Sequence, residues 1–205
     1  MSQIGTVVAS ESRSATVTRK TRETEITVSL RLDGTGATKI ETGVGFFDHL
    51  MGSLAYHALF DLDVAASGDL EIDEHHTVED VALVFGAALA EALGDRAGIV
   101  RFGDSSVPMD ESVATAAVDV GGRPYAVVDL PFRGKRAGKL PLQLIEHVLE
   151  SFARAGGVTL NIRGRGRNDH HLAEAAFKAL GRALGAACAV DARRSGPAST
   201  KGTLG

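Results

Sequence analysis

The chain carries one chemical pattern twice. Phe47-Asp48-His49 with Ser53-Leu54-Ala55 matches Ile145-Glu146-His147 with Ser151-Phe152-Ala153 at an offset of 98 residues. Glu74-His75-His76 with Glu79 matches Asp169-His170-His171 with Glu174 at an offset of 95, and Gly86-Ala87-Ala88-Leu89 matches Gly181-Arg182-Ala183-Leu184 at the same offset. One loop of different length accounts for the three-residue difference. A duplicated chain of 205 residues, 44% of them apolar, folds as two small equivalent units that hide their apolar faces against each other. The expected class is α/β (α+β), each half a small mixed sheet with two helices on one face. The halves are 1–98 and 99–190, followed by a tail, 191–205, whose Gly, Ser, Arg and Pro content predicts flexibility when alone.

Local patterns place the elements. The first 20 residues are Ser/Thr-rich, and their start is expected to fray, with a strand beginning near Ala15. Glu25 to Leu32 alternates polar and apolar residues as a half-buried strand does, and Asp33-Gly34-Thr35-Gly36 signals a turn. Strands are predicted over 37–42, 59–65, 69–72, 113–120, 125–130 and 158–162. Helices are predicted over 46–57, 77–93, 140–155 and 172–189. The clearest is 77–93, where Val78, Val81, Ala82, Phe85, Leu89, Ala92 and Leu93 recur at three- and four-residue steps before Gly94.

Composition excludes several functions. No apolar run approaches the roughly 18–20 residues that span a bilayer. The start, MSQIGTVVASESRS, lacks the basic and apolar regions of a secretory signal, so a cytoplasmic protein is expected. A single cysteine, Cys188, excludes a disulfide framework and a thiolate zinc site, and its place on an apolar stripe marks it as a core residue. Net charge −4, no tryptophan and two tyrosines argue against nucleic-acid binding.

Six of the seven histidines belong to the repeated pattern, and His57 alone stands outside it. Each copy holds a lone histidine on a first helix, then His-His-x-x-Glu opening a second. Copy one is His49, His75, His76 and Glu79; copy two is His147, His170, His171 and Glu174. The glutamate lies four residues after the first histidine and three after the second, on a neighbouring helical position in both cases. Adjacent histidines diverge by about 100° around the axis, so a pair cannot easily chelate one ion. Each pair serves two metals, or one metal and a neighbouring chain. Imidazole plus carboxylate without thiolate suits Mn, Fe, Co or Zn, and room for six ligands favours Mn2+.

These residues resemble the imidazoleglycerol-phosphate dehydratase family of histidine biosynthesis. The resemblance is carried by Gly43-Val44-Gly45-Phe46-Phe47-Asp48-His49-Leu50-Met51 and by the run from Gly68 through His75-His76-Thr77-Val78-Glu79-Asp80. Further matches are Arg101-Phe102-Gly103, Pro108-Met109-Asp110-Glu111, Gly121-Gly122-Arg123-Pro124-Tyr125, the run from Gly166 through Phe177-Lys178-Ala179, and Ser199-Thr200-Lys201-Gly202. The resemblance implies a lyase that dehydrates D-erythro-imidazole-glycerol phosphate to imidazole-acetol phosphate. It implies two Mn2+ ions per active site, with the ring held between them as an imidazolate that expels the neighbouring hydroxyl. It also implies a 24-subunit homo-oligomer with sites between subunits.

Carried over by position, the implied metal ligands are His49, His75, His76, Glu79, His147, His170, His171 and Glu174. Glu23 matches a substrate-contacting glutamate. It and Glu174 are the two candidates for proton transfer. Arg101, Arg123, Ser199 and Lys201 are the implied phosphate contacts, Arg as a planar fork and Lys as a point charge. The chain departs from the family at Asn161, where many relatives carry histidine, and in the basic run Arg163, Arg165 and Arg167. A competing reading is a di-metal hydrolase of a phosphorylated small molecule. Such sites rely on bridging carboxylates, whereas histidine dominates here, and Phe60-Asp61-Leu62-Asp63-Val64 matches a phosphatase nucleophile motif poorly. A metal store would need the ligands but not Glu23, Arg101, Arg123 and Lys201.

Overall fold

The computed structural model describes residues 13–204, and the expected fraying at the start of the chain falls outside them. The first half contains β1 (Ser14–Lys20), β2 (Thr24–Arg31), β3 (Thr38–Glu41), α1 (Gly45–Ala58), β4 (Asp61–Gly68) and α2 (His75–Leu93). Its sheet runs β1-β2-β4-β3, antiparallel except for the parallel β3–β4 pair. The second half contains β5 (Phe102–Met109), β6 (Ser112–Asp119), β7 (Tyr125–Asp129), a two-stranded hairpin of β8 (Arg136–Ala137) and β9 (Leu140–Pro141), α3 (Gln143–Gly156), β10 (Thr159–Arg165) and α4 (Asp169–Cys188). Its sheet, β5-β6-β10-β7, repeats the order and the directions of the first.

Each sheet is apolar on one face. Ile26, Val28 and Leu30 of β2, Leu62 and Val64 of β4, and Leu160 and Ile162 of β10 are buried against the helices. The opposite face carries hydroxyl pairs, Thr16 with Ser29 at 2.9 Å and Thr18 with Thr27 at 3.0 Å. α2 lies on β1 and β2, and α4 lies on β5 and β6. The halves join through their helices, α2 against α3 and α1 against α4.

Glycine sets the closeness of those crossings. A Cβ at Gly86 would stand 2.6 Å from the Phe152 carbonyl oxygen, and one at Gly181 would stand 2.3 Å from that of Leu54. Leu54 and Phe152 are themselves equivalent by the 98-residue offset, so both crossings are copies of one contact. Phe85 stacks on Phe152 across the joint, with ring centroids 5.1 Å apart. Cys188 is buried in the core as expected, its thiol pushed up to about 12 by burial.

Three expectations change. Residues 69–72 form a turn rather than a strand: the Ile72 amide donates to the Asp69 carbonyl at 2.8 Å, and β4 stops where its partner β2 begins, at the Gly68–Thr24 pair. The third helix starts at Gln143 because Leu140–Pro141 pairs with Arg136–Ala137. Phe102–Met109, for which no element is expected, forms the edge strand β5. Its apolar alternation is faint, and Pro108 is tolerated because an edge strand can spare an N–H.

Candidate metal centre

Both His-His pairs sit at the start of a helix that a short side chain opens. The Asp73 carboxylate accepts from the His75 amide at 2.8 Å, and the Asn168 side chain accepts from the His170 amide at 3.0 Å. Asp73 and Asn168 occupy equivalent positions in the two halves, but only Asn168 is the N-cap of its helix; Asp73 stands one residue before Glu74, the N-cap of α2.

The donor atoms gather in three groups, of which Glu23, Asp69 and His76 stay within the first half and the other two mix the halves. His49 of α1 meets His170 and Glu174 of α4; His147 of α3 meets His75 and Glu79 of α2. In the first set Glu174 Oε1 lies 3.0 Å from His49 Nε2 and 2.8 Å from His170 Nε2. In the second, Glu79 lies 3.5 Å from His75 Nε2 and 3.3 Å from His147 Nε2. The sequence pattern groups the histidines by half, but the packing of α1 on α4 and of α3 on α2 exchanges the lone histidines between halves.

The donor sets suit a divalent cation. Ligand atoms about 3 Å apart are the edges of an octahedron with bonds of about 2.1 Å. His147 Nε2 is buried and has no hydrogen-bond partner among the described residues, although it faces Glu79. A buried ring nitrogen left without a hydrogen bond is costly, and a cation between it and the carboxylate would satisfy it.

Glu174 is the most enclosed of the acids, its side chain 7% exposed. Burial pushes its carboxyl upward, but Lys178 Nζ at 2.6 Å, together with His49 and His170, outweighs that and holds it at about 2. In the sequence Lys178 stands within a matched run but carries no assigned role, although its place four residues after Glu174 is a detectable signal.

The second histidine of each pair turns away from the first, with ring planes at 67° for His75 and His76 and 82° for His170 and His171. Asp69 Oδ2 stands 2.9 Å from His76 Nδ1, which raises that ring above its ordinary value. Glu23, exposed at the end of the β1–β2 turn, lies 3.9 Å from the same nitrogen. Glu111 Oε2 stands 2.9 Å from His171 Nδ1. Neither Asp69 nor Glu111 announces itself in sequence, because both reach their histidine from outside the helix.

The four expected phosphate contacts line one cleft of about 310 Å³: Arg101, Arg123, Ser199 and Lys201 share it with Phe102 and Gly121. Arg101 has a positive φ of 76°, and its Nε and Nη2 donate to Asp119 at 2.7 and 2.9 Å. Its Nη1 donates to the Ala198 carbonyl at 2.7 Å, which fastens the tail over the cleft. Three of the five guanidinium N–H groups are thus used, leaving two for a ligand. Arg96 bonds the Val120, Gly156 and Gly157 carbonyls with its guanidinium, and this ties the loop before Arg123 to the end of α3.

No helix among the described residues is long and apolar enough to cross a membrane. The imidazoleglycerol-phosphate dehydratase family model matches residues 42–184. An imidazoleglycerol-phosphate dehydratase of Methanoculleus marisnigri is 54% identical over 192 residues, covering 94% of this chain and 100% of its own. One of Chloroflexus aurantiacus is 52% identical over the full length of both. Solved imidazoleglycerol-phosphate dehydratases of Staphylococcus aureus and Pyrococcus furiosus superpose with TM-scores of 0.79 at 32% and 33% identity, covering 87% and 92% of this chain and 99% and 100% of theirs. With its twinned histidine and glutamate sets and this likeness along the whole chain, the protein belongs to the imidazoleglycerol-phosphate dehydratase family.

Proposed function

We propose that this protein removes water from D-erythro-imidazole-glycerol phosphate to give imidazole-acetol phosphate, with two Mn2+ ions per active site, in the cytoplasm. The observation that carries the reading is the pair of equivalent donor sets, each with two histidines and one glutamate and each short of a full coordination shell. His49, His170 and Glu174 would hold one ion, and His75, Glu79 and His147 the other. His76 and His171, which face away from these sets, would complete the sites of neighbouring chains. Bound there, the ions would supply Lewis acidity that eases loss of the imidazole proton and of the neighbouring hydroxyl.

The remaining work falls to the protein. The hydrogen on the carbon bearing the second hydroxyl must be taken by a carboxylate within reach. Glu174 is poorly placed for this, since Oε1 is committed to two histidines and Oε2 to Lys178. Glu23 is exposed beside His76, which makes it the base in this reading. The enol left after proton loss tautomerises to the ketone. Arg123, Ser199, Lys201 and the two free N–H groups of Arg101 would grip the phosphate.

One distance supports a site shared between chains. The Arg101 amide donates to the Ala187 carbonyl, whereas His170 lies at the other end of the same helix. Their separation along α4 is about 25 Å at 1.5 Å per residue. A small phosphate ester spans a fraction of that length. Metal ligands and phosphate cleft acting on one molecule would therefore come from different copies, which supports the expected 24-subunit assembly. The test is incubation of the assembled protein with imidazole-glycerol phosphate and Mn2+. The expected product is an enolisable ketone; release of inorganic phosphate would establish a hydrolase instead.

A further inference from the structure

The duplicated halves hold their second histidines with different acids. Glu23 immediately precedes β2, and Glu111 immediately precedes the equivalent strand β6. The two glutamates are topological twins, yet their surroundings differ. Glu111 is spent on structure: Oε2 meets His171 Nδ1, while Oε1 accepts from Ser112 Oγ at 2.9 Å and from the Arg167 and Asn168 amides at 3.1 and 2.7 Å. Glu23 keeps an exposed carboxylate, 3.9 Å from His76 Nδ1, because Asp69 has taken the nearer place at 2.9 Å. Asp69 lies seven residues before His76, and the residue seven before His171 is Gly164, which has no side chain to offer.

We propose that Asp69 and Glu111 are positioning residues that fix the tautomer of His76 and His171, and that Asp69, by taking this task in the first half, frees Glu23 for the substrate. An ionised carboxylate only accepts, so the ring nitrogen facing it must carry the proton. Nδ1–H therefore points at Asp69 or Glu111, and Nε2 is left with its lone pair for a cation. Carboxylate partners of this kind orient metal-binding imidazoles and make them more basic. The inference rests on the reading above that His76 and His171 bind metal.

The experiment measures Mn2+ affinity by equilibrium dialysis of the assembled protein, without substrate. Asp69→Asn and Glu111→Gln are each expected to weaken binding by about 10–100-fold. Glu23→Gln is expected to leave it at the wild-type value, and Asp69→Glu to bring it back toward that value, since glutamate does the same work in the other half. In a His76→Ala background, Asp69→Asn is expected to cost nothing further, because no ring remains to be oriented. Asp69 Oδ1 is buried without a hydrogen-bond partner among the described residues, Oδ2 meets only His76, and the turn is closed by backbone, so the metal-free melting temperature should change little. Should Asp69→Asn fail to fold, Glu111→Gln read with His171→Ala decides the matter in the second half. Loss of affinity in His76→Ala with none in Asp69→Asn overturns the inference alone. Full affinity in His76→Ala removes the ligand reading beneath it, and the inference with it. An equal loss from Asp69→Asn with and without His76 also overturns it, since the acid would then act independently of the ring.

Discussion

The two halves agree closely in the residues that could hold metal and differ in those proposed to meet substrate. Both carry a short side chain bonded to the amide of the first histidine, the same glycine crossing and the same placement of His-His-x-x-Glu at a helix start. Each half also places an arginine just before its first strand. Arg13 forks onto Asp33 and donates to the Cys188 carbonyl; Arg101 forks onto Asp119 and donates to the Ala198 carbonyl. In the first half that corner closes on the end of α4. In the second it opens into a cleft with Arg123, Ser199 and Lys201. Duplication preserved what a pair of equivalent cations would require, because two sets must match. A single asymmetric substrate makes no such demand, so one half could keep a free glutamate and the other a phosphate cleft.

The largest test of this contrast is Glu23→Gln. Loss of a general base should lower kcat by about 10²–10⁴-fold, with no recovery at high Mn2+. Steady-state rates across a Mn2+ series check this, and unchanged kcat would end the division of labour between Glu23 and its twin Glu111. Next come the paired arginines. Arg101→Ala, or removal of residues 198–205, should raise KM by about 10–100-fold, as loss of a charge-assisted bond to phosphate worth about 1.5–3 kcal/mol demands. Arg13→Ala should leave KM unchanged and lower the melting temperature instead.

Metal linkage gives a third test. Histidine ligands must be neutral to bind, so Mn2+ affinity should fall below about pH 6, and particle size should fall with it if cations join the chains. Light scattering at pH 5.5 with and without chelator reads this; identical sizes would separate assembly from metal.

Two smaller effects probe the scaffold. Gly86→Ala and Gly181→Ala overfill equivalent crossings and should each cost about 1–3 kcal/mol in denaturant unfolding. A large difference between them would show that the crossings are not copies in energy. Asp61, by contrast, has no counterpart, since Thr159 opens the equivalent strand. The Thr35 amide and then the Arg31 guanidinium hold its carboxyl well below the usual range. A depressed carboxyl adds stability above its unfolded value, near pH 4, and loses it as pH falls. Asp61→Asn should therefore flatten the decline in melting temperature below pH 4 by a few degrees.

Much of the site could be read before the fold was known. His49, His75, His76 and Glu79, with their twins, stand out because helical spacing is local: residues three and four apart share a face in any helix. The strands of alternating pattern were equally plain. Phe102–Met109 was not, because an edge strand with one half-buried face needs few apolar residues. Asp69, Glu111, Asp119 and Lys178 were absent from the candidate site for a related reason. Three of them reach their partners across loops or strands, and a lone acid in a turn looks the same whether or not a histidine lies beside it.

Residue order alone carried the duplication, through matches 95 and 98 residues apart, and the candidate donors with the helix faces that bear them, which follow from spacing within a turn. It could not say that His49 would stand with Glu174 and His147 with Glu79. That exchange depends on α1 lying on α4 and α3 on α2, contacts between segments about a hundred residues apart. Long-range packing of this kind is set by the sum of many buried contacts and by close approach at Gly86 and Gly181, and no short stretch of chain encodes it.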